Sequence, residues 1–235
     1  MTTRVRRRVA WWLRSRVRRK LRMSKINPRR AESRAALVGA PELWAGQRQF
    51  QFDFLTGHGL RPTQRLIDIG CGVLRVGIPL IDYLETGNYT GVEIRAEVLK
   101  EARKELRKCG LEHKQPHLIH ATDPMQIEPG PPFDFAWAFM VLIHMSDDIA
   151  DTYMRFISQR LSEDGVFYAN VAGGPRPDGE WQGFPVVFRA VTFYERIASS
   201  HGLSVTRLGP LGSLGYELAP GRNSMMLQIS RAPAV

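Results

Sequence analysis

Cysteine is scarce in this chain. Cys71 and Cys109 are the only two among 235 residues, too few for a disulfide framework, and no CxxC pair or Cys/His cluster offers a zinc site. A reduced, cytoplasmic compartment is the expectation. Long apolar runs are missing as well. None approaches the roughly 18 residues that a spanning helix needs, and the N-terminus lacks the apolar core of a signal peptide. Acid is absent from residues 1–30, which hold 13 Lys/Arg. The whole net charge of +10 therefore sits in that segment, because the other 20 basic residues face 23 acidic ones and leave the body near −3. A sequence pI of about 10.1 thus describes an arm, and the slightly acidic body argues against a nucleic-acid groove. What is present, 26.7 kDa with 43% hydrophobic residues, suits one globular domain with a sizeable core.

The arm carries Val5, Val9, Trp12, Leu13, Val17 and Leu21 at helical spacing, with arginine at most other positions. The pattern predicts a basic amphipathic helix with a narrow apolar stripe. Such a helix suits the surface of an anionic membrane, each Lys/Arg near the surface contributing roughly 1 kcal/mol. A frayed basic tail, an RNA-binding arm and an Arg-rich presequence are the other readings. Pro28, Arg29 and Arg30 form a linker, so the expected division is an arm over 1–30 and a domain over 31–235.

From residue 41 apolar runs alternate with amphipathic stretches. Helices are expected over 41–57, from the glycine turn after residue 70 to Leu84, and over Ala96–Lys108, Asp148–Leu161 and Thr192–Ser200. Strands are expected over Arg65–Ile69, Asn88–Ile94, His117–Ala121, Phe133–Leu142, Gly165–Val171, Ser204–Leu208 and Ser224–Ser230. Pro79 inside the second helix predicts a kink. The alternation predicts an α/β fold: a Rossmann-like, seven-stranded, mostly parallel sheet with helices on both faces, its ligands at the strand C-terminal ends.

Chemistry enters at Leu66-Ile67-Asp68-Ile69-Gly70-Cys71-Gly72-Val73-Leu74-Arg75. Small residues at the exit of a strand let the backbone approach a ligand closely, and the following helix presents unpaired N–H groups. A dinucleotide fingerprint would place a third glycine at position 75, where Arg75 stands, and no Gly-Lys-Ser/Thr follows for a phosphate loop. An acid before Gly-x-Gly, followed 25 residues after Asp68 by Glu93 in Gly91-Val92-Glu93-Ile94, resembles the class I S-adenosylmethionine-dependent methyltransferases. The likeness continues through His120-Ala121-Thr122-Asp123, through Phe133-Asp134-Phe135 to Phe139-Met140-Val141-Leu142-Ile143-His144, and through Leu161-Ser162-Glu163-Asp164-Gly165.

The resemblance implies S-adenosyl-L-methionine as cofactor. Position by position, it implies that Gly70, Cys71 and Gly72 cradle the cofactor and that Asp68 orders the loop and the cofactor amine. Glu93, with Ile94 beside it, would bind the ribose, Asp123, with Thr122, would face adenine, and Phe139 would line the sulfonium region. His144, at the end of the fourth strand, is the candidate base for an oxygen nucleophile. Asp147 and Asp148 are expected to cap the helix that follows, in preference to steering His144, and they form with Asp151 a helical surface period that implies no metal site. The Gly/Pro-rich stretch 172–192, with Trp181, Phe184, Phe188 and Arg189, is expected to be an irregular acceptor-binding loop. Trp44 and Gln47 are expected to cover the cofactor from the other side.

The fourth-strand motif lacks Asn/Asp-Pro-Pro-aromatic, which disfavours methylation of exocyclic base amines. O-methylation of a small-molecule, glycan or lipid-linked acceptor near a membrane surface is the expected function. An RNA or protein methyltransferase using the arm, and a non-catalytic S-adenosylmethionine-binding protein at the membrane surface, remain as alternatives.

Overall fold

The computed structural model describes residues 36–172, 177–181, 183–218 and 221–233. The basic arm expected over 1–30 lies outside the described residues. Glu42–Val235 forms one compact unit, and the fold below is that of this unit.

Five helices, α1 (Trp44–Gly57), α2 (Gly77–Tyr83), α3 (Ala96–Lys108), α4 (Asp147–Arg160) and α5 (Val191–Ser200), alternate with strands β1 (Leu66–Ile69), β2 (Tyr89–Glu93), β3 (His117–His120), β4 (Phe133–Ala138), β5 (Leu161–Val171), β8 (Leu203–Pro210) and β9 (Met225–Arg231). These seven strands form one sheet in the order β3-β2-β1-β4-β5-β9-β8. β9 alone runs opposite to the other six strands, so the expected mostly parallel sheet is present. Every residue of β1 and β2 is buried, as strands covered on both faces require.

β4 shows how the two faces differ. Ala136 and Ala138 join a hydrophobic core with Ile157 and Met154 of α4, Ala198 of α5, and Ala169 and Leu227. On the opposite face Trp137 packs on Phe54 of α1 at 5.5 Å, and its indole N–H donates to Gln51 Oε1 at 3.0 Å. Period-2 alternation thus sends small residues toward closely packed helices and large ones toward α1. In α1 the buried residues Gln47, Phe50, Gln51, Phe54 and Leu55 recur at helical spacing.

Three expectations are corrected. β4 ends at Ala138 instead of Leu142, because the chain turns at Met140, φ +58°, and residues 142–144 form a 3-10 turn. The stretch 172–192 is not irregular throughout: β6 (Gly179–Trp181) and β7 (Phe184–Val186) pair as an antiparallel hairpin. No kink follows at Pro79, near the start of α2: the N–H groups on either side keep their helical bonds, Ile78 to Leu74 O and Leu80 to Val76 O, each at 3.1 Å. The carbonyl of Arg75, which an N–H at position 79 would otherwise approach, accepts from Nε of Arg48 at 2.7 Å.

Candidate functional site

The strand order reverses between β1 and β4, with β2 and β3 on one side and β5 on the other. A sheet of this kind opens a crevice at the carboxyl ends of the strands at that switch point. Gly70 and Gly72 sit there with φ of +71° and +55°, and Leu74 with +63°. A Cβ on Gly70 would stand 2.5 Å from Val141 Cγ2, so the glycine is required by both its backbone and its neighbour. The N–H groups of Gly70 and Cys71 donate to one acceptor, the carbonyl of Val92, at 2.8 and 3.0 Å. This stitches the glycine turn to β2 immediately before Glu93. Cys71 is buried, with its thiol lying against Gly91, where a Cβ would be 2.9 Å from Sγ. Burial, reinforced by the charges of Asp68 and Glu93, pushes that thiol well above its ordinary pKa.

Two carboxylates flank the turn. Asp68 is buried and accepts from the hydroxyl of Tyr89 at 2.7 Å. Burial raises its pKa to about 7, against the lowering effect of that hydrogen bond, and Glu93 adds to the rise. Glu93 is buried at the end of β2, where its Oε1 accepts from the backbone N–H of Arg95 at 3.0 Å and from Arg95 Nε at 3.3 Å. Ile94 is 41% exposed and Met125 37%, and Ile149, at the start of α4, is 46% exposed. Ile94 directly follows β2 and Met125 lies in the 3-10 turn after β3, so two exposed apolar side chains stand at neighbouring strand carboxyl ends. Thr122 is exposed, while Asp123 caps the 3-10 turn Pro124–Gln126 by accepting from Met125 N at 2.9 Å.

On the far side of the switch point the chain after β4 is held by side chains. Asn170, with no exposed surface, accepts from the backbone N–H of Met140 at 2.7 Å, and its amide donates to Met140 Sδ at 3.2 Å. Phe139 is buried in an aromatic cluster, stacked on Trp137 at 5.7 Å and packed against Phe50 and Tyr216. Gln47 lies beneath this cluster, donating to Tyr216 Oη at 2.9 Å and accepting from Arg75 Nη1. The ring of Trp44 meets the guanidinium groups of Arg48 and Arg75.

His144 ends the 3-10 turn after β4. Its Nδ1 donates to the carbonyl of Pro185 at 2.8 Å, and the N–H of Val187 donates to Ile143 O at 2.8 Å, so β7 is sewn onto the turn. A neutral ring with its proton on Nδ1 carries its lone pair on Nε2. Partial burial holds the imidazole below its usual pKa, against the Pro185 bond and with a small further lowering from Arg95. Trp181 and Phe184 of the hairpin lie 5.5 and 6.2 Å from the ring. At the base of the hairpin Arg189 bonds both oxygens of Asp178 at 2.9 Å and Asp147 Oδ1 at 2.7 Å. Asp147 is therefore an ion-pair partner, and neither it nor Asp148 is the cap residue, a position taken by Ser146. Asp151 pairs with His201 at 3.0 Å.

The structure brings Asp68, Gly70, Cys71, Gly72, Glu93 and Ile94 together around one turn. Tyr89, Arg95 and Asn170 escaped sequence reasoning. A polar side chain inside an apolar strand run, Tyr89 in one case and Asn170 in Phe-Tyr-Ala-Asn-Val in the other, is the signal that marks two of them.

A methyltransferase domain family matches residues 67–167, the span from β1 into β5. No curated protein matches the chain. Among solved structures, the magnesium protoporphyrin IX methyltransferase ChlM from Synechocystis PCC 6803, with bound S-adenosylmethionine, is 18% identical with a TM-score of 0.59, over 80% of this chain and 81% of that one. The glycopeptide N-methyltransferase MtfA, complexed with S-adenosylhomocysteine, is 14% identical with a TM-score of 0.62, over 79% and 90%. The mitomycin 7-O-methyltransferase MmcR is 20% identical with a TM-score of 0.57, over 80% and 54%. Family match, strand order and glycine turn agree: residues 67–167 match a methyltransferase domain, and the chain shares its fold with solved S-adenosylmethionine-dependent methyltransferases.

Proposed function

We propose that this methyltransferase acts on an oxygen of a small-molecule, glycan or lipid-linked acceptor, with the β1–β2 side of the crevice holding the cofactor and the β4–hairpin side holding the acceptor. The residues present suit the cofactor. The left-handed turn at Gly70 and Gly72 admits a ligand against bare backbone. Glu93 offers a buried carboxylate that accepts both hydroxyls of a ribose, and Asp68 an anion for the amine. Ile94 and Met125 present apolar surface at neighbouring strand ends for the adenine, with Thr122 and Asp123 at its edge. Phe139 shapes the floor of the sulfonium region from within its aromatic cluster.

S-adenosylmethionine supplies a methyl group on a sulfonium, already a strong electrophile. The protein's task is then to align the acceptor, exclude water and take a proton. The observation that carries oxygen methylation is the state of His144. It is held as the neutral Nδ1–H tautomer by Pro185 O, with burial lowering its pKa, so Nε2 is available as a base at neutral pH. Aromatic surface from Trp181 and Phe184 near the imidazole ring suits stacking against a ring or a sugar face. Mitomycin 7-O-methyltransferase, among the solved neighbours, is named for transfer to oxygen.

Residues 1–30, with 13 Lys/Arg and no acid, attach the enzyme to anionic membrane from the cytoplasmic side. Among the described residues no helix is long and apolar enough to cross a membrane.

Titration calorimetry of S-adenosylmethionine and S-adenosylhomocysteine into the wild type and Glu93→Ala, each with and without residues 1–30, is the first test. Binding that collapses in Glu93→Ala and survives removal of the arm supports the cofactor site. Sedimentation with phosphatidylserine vesicles should then need the arm, and an acceptor panel of phenols, sugars and lipid-linked glycans should give methyl ethers. Methylation confined to RNA or protein would overturn the acceptor class.

A further inference from the structure

Arg95 has no role in the cofactor site as described, yet it touches both halves of the crevice. Its backbone N–H and its Nε converge on one oxygen of Glu93, Oε1, at 3.0 and 3.3 Å. The same guanidinium covers the ring of Phe184, 5.3 Å from its centroid. Phe184 lies 6.2 Å from the ring of His144, which also meets Trp181 at 5.5 Å and hydrogen-bonds the backbone of Pro185. A continuous line of contacts therefore runs from a buried carboxylate at the end of β2, through one arginine, to the β6–β7 hairpin and the candidate base.

We propose that Arg95 is a positioning residue that couples occupancy of Glu93 to the posture of the hairpin, so that a bound cofactor prepares the acceptor side. The inference rests on Glu93 as the ribose acceptor. A carboxylate offers about four lone-pair positions, and two donors of Arg95 already converge on Oε1. A diol arriving at this carboxylate must share or displace the Nε contact. The guanidinium cannot shift without altering its stacking on Phe184, because its planar fork carries both interactions at once. Since β7 is joined to the 142–144 turn by two backbone-directed hydrogen bonds, a change at Phe184 reaches the orientation of His144. Coupling of this kind is reciprocal in binding free energy: an acceptor seated on the hairpin raises cofactor affinity by the same factor.

Hydrogen exchange of the full chain, with and without saturating S-adenosylhomocysteine, reads the coupling without turnover. In the wild type the ligand should slow exchange of amides in 179–181 and 184–189 by about fivefold or more, the low end of typical coupling between sites. In Arg95→Ala and, independently, in Phe184→Leu, calorimetry should still show ligand binding, while the hairpin exchanges at the same rate with and without it. Protection of the hairpin that persists in both variants, or that is absent from ligand-saturated wild type, overturns the proposal. A wild type that binds no S-adenosylhomocysteine overturns the cofactor reading beneath it, a separate failure visible in calorimetry alone.

Discussion

The two halves of the crevice are built by different means. On the β1–β2 side the surface comes from backbone and small residues within residues 68–94: left-handed glycines, a shared carbonyl at Val92, and two buried acids. On the β4–β5 side it is assembled from side chains brought from α1, the hairpin, β5 and the segment around Tyr216. A local construction leaves few alternatives for each residue. A construction from distant parts distributes the same task over many, so single changes there should be milder for binding and more specific for turnover.

That contrast can be broken at Gly70. Gly70→Val puts a β-branched residue at φ +71° with its Cβ on Val141. Left-handed backbone alone costs an L-residue roughly 1–2 kcal/mol, and the overlap adds to it. Calorimetry should show S-adenosylmethionine binding lost altogether, with a lower unfolding temperature. Next in size is His144→Gln on the other half. It should leave cofactor affinity unchanged and lower kcat about 10²–10⁴-fold, as single-turnover methylation of the acceptor would show. If kcat survives, proton removal by His144 is excluded.

Asn170→Ala probes the support of the second half. Its amide is the partner of the Met140 N–H, and loss of a buried partner costs about 1–3 kcal/mol. An unfolding temperature lower by several degrees is expected, together with a raised acceptor KM and an unaltered cofactor Kd. The smallest effect sharpens the first half. Asp68 has a folded pKa of about 7 against an ordinary value of 3.8, with burial the main cause. The folded state therefore holds this proton more tightly than the unfolded chain. Its contribution to stability is full below about 4 and is lost as pH rises through 7. A cationic ligand group prefers the ionised acid, so cofactor affinity should fall as pH drops from 8 to 6 and binding should release a proton. Calorimetry in two buffers of different ionisation enthalpy measures this, and equal apparent enthalpies in both buffers would exclude Asp68 as the linked group.

Legibility in the sequence followed the same division. The sheet, its mostly parallel course and the glycine turn could be read because apolar runs, alternation and Gly70-x-Gly72 are local patterns. The end of β4 could not. Phe139–Ile143 continues an apolar run that looks like strand, and what stops it is the capture of the Met140 N–H by an asparagine 30 residues away. The hairpin was hidden because its strands are three residues each, too short for a period to show among glycines and prolines. Likewise the ion pair of Asp147 depends on Arg189, 42 positions on, whereas its place near a helix start is visible locally and suggests a cap.

The burial of Cys71 gives the protein a built-in chemical gauge. Of the two thiols, Cys109 is partly accessible while Cys71 is sealed beneath the turn that joins β1 to α2 and held in its unreactive protonated form. Alkylating reagents should label Cys109 from the native state and reach Cys71 only when that turn lifts away from β2. The rate of the second labelling event, followed by intact mass, therefore clocks the opening of the glycine turn in an otherwise unmodified protein.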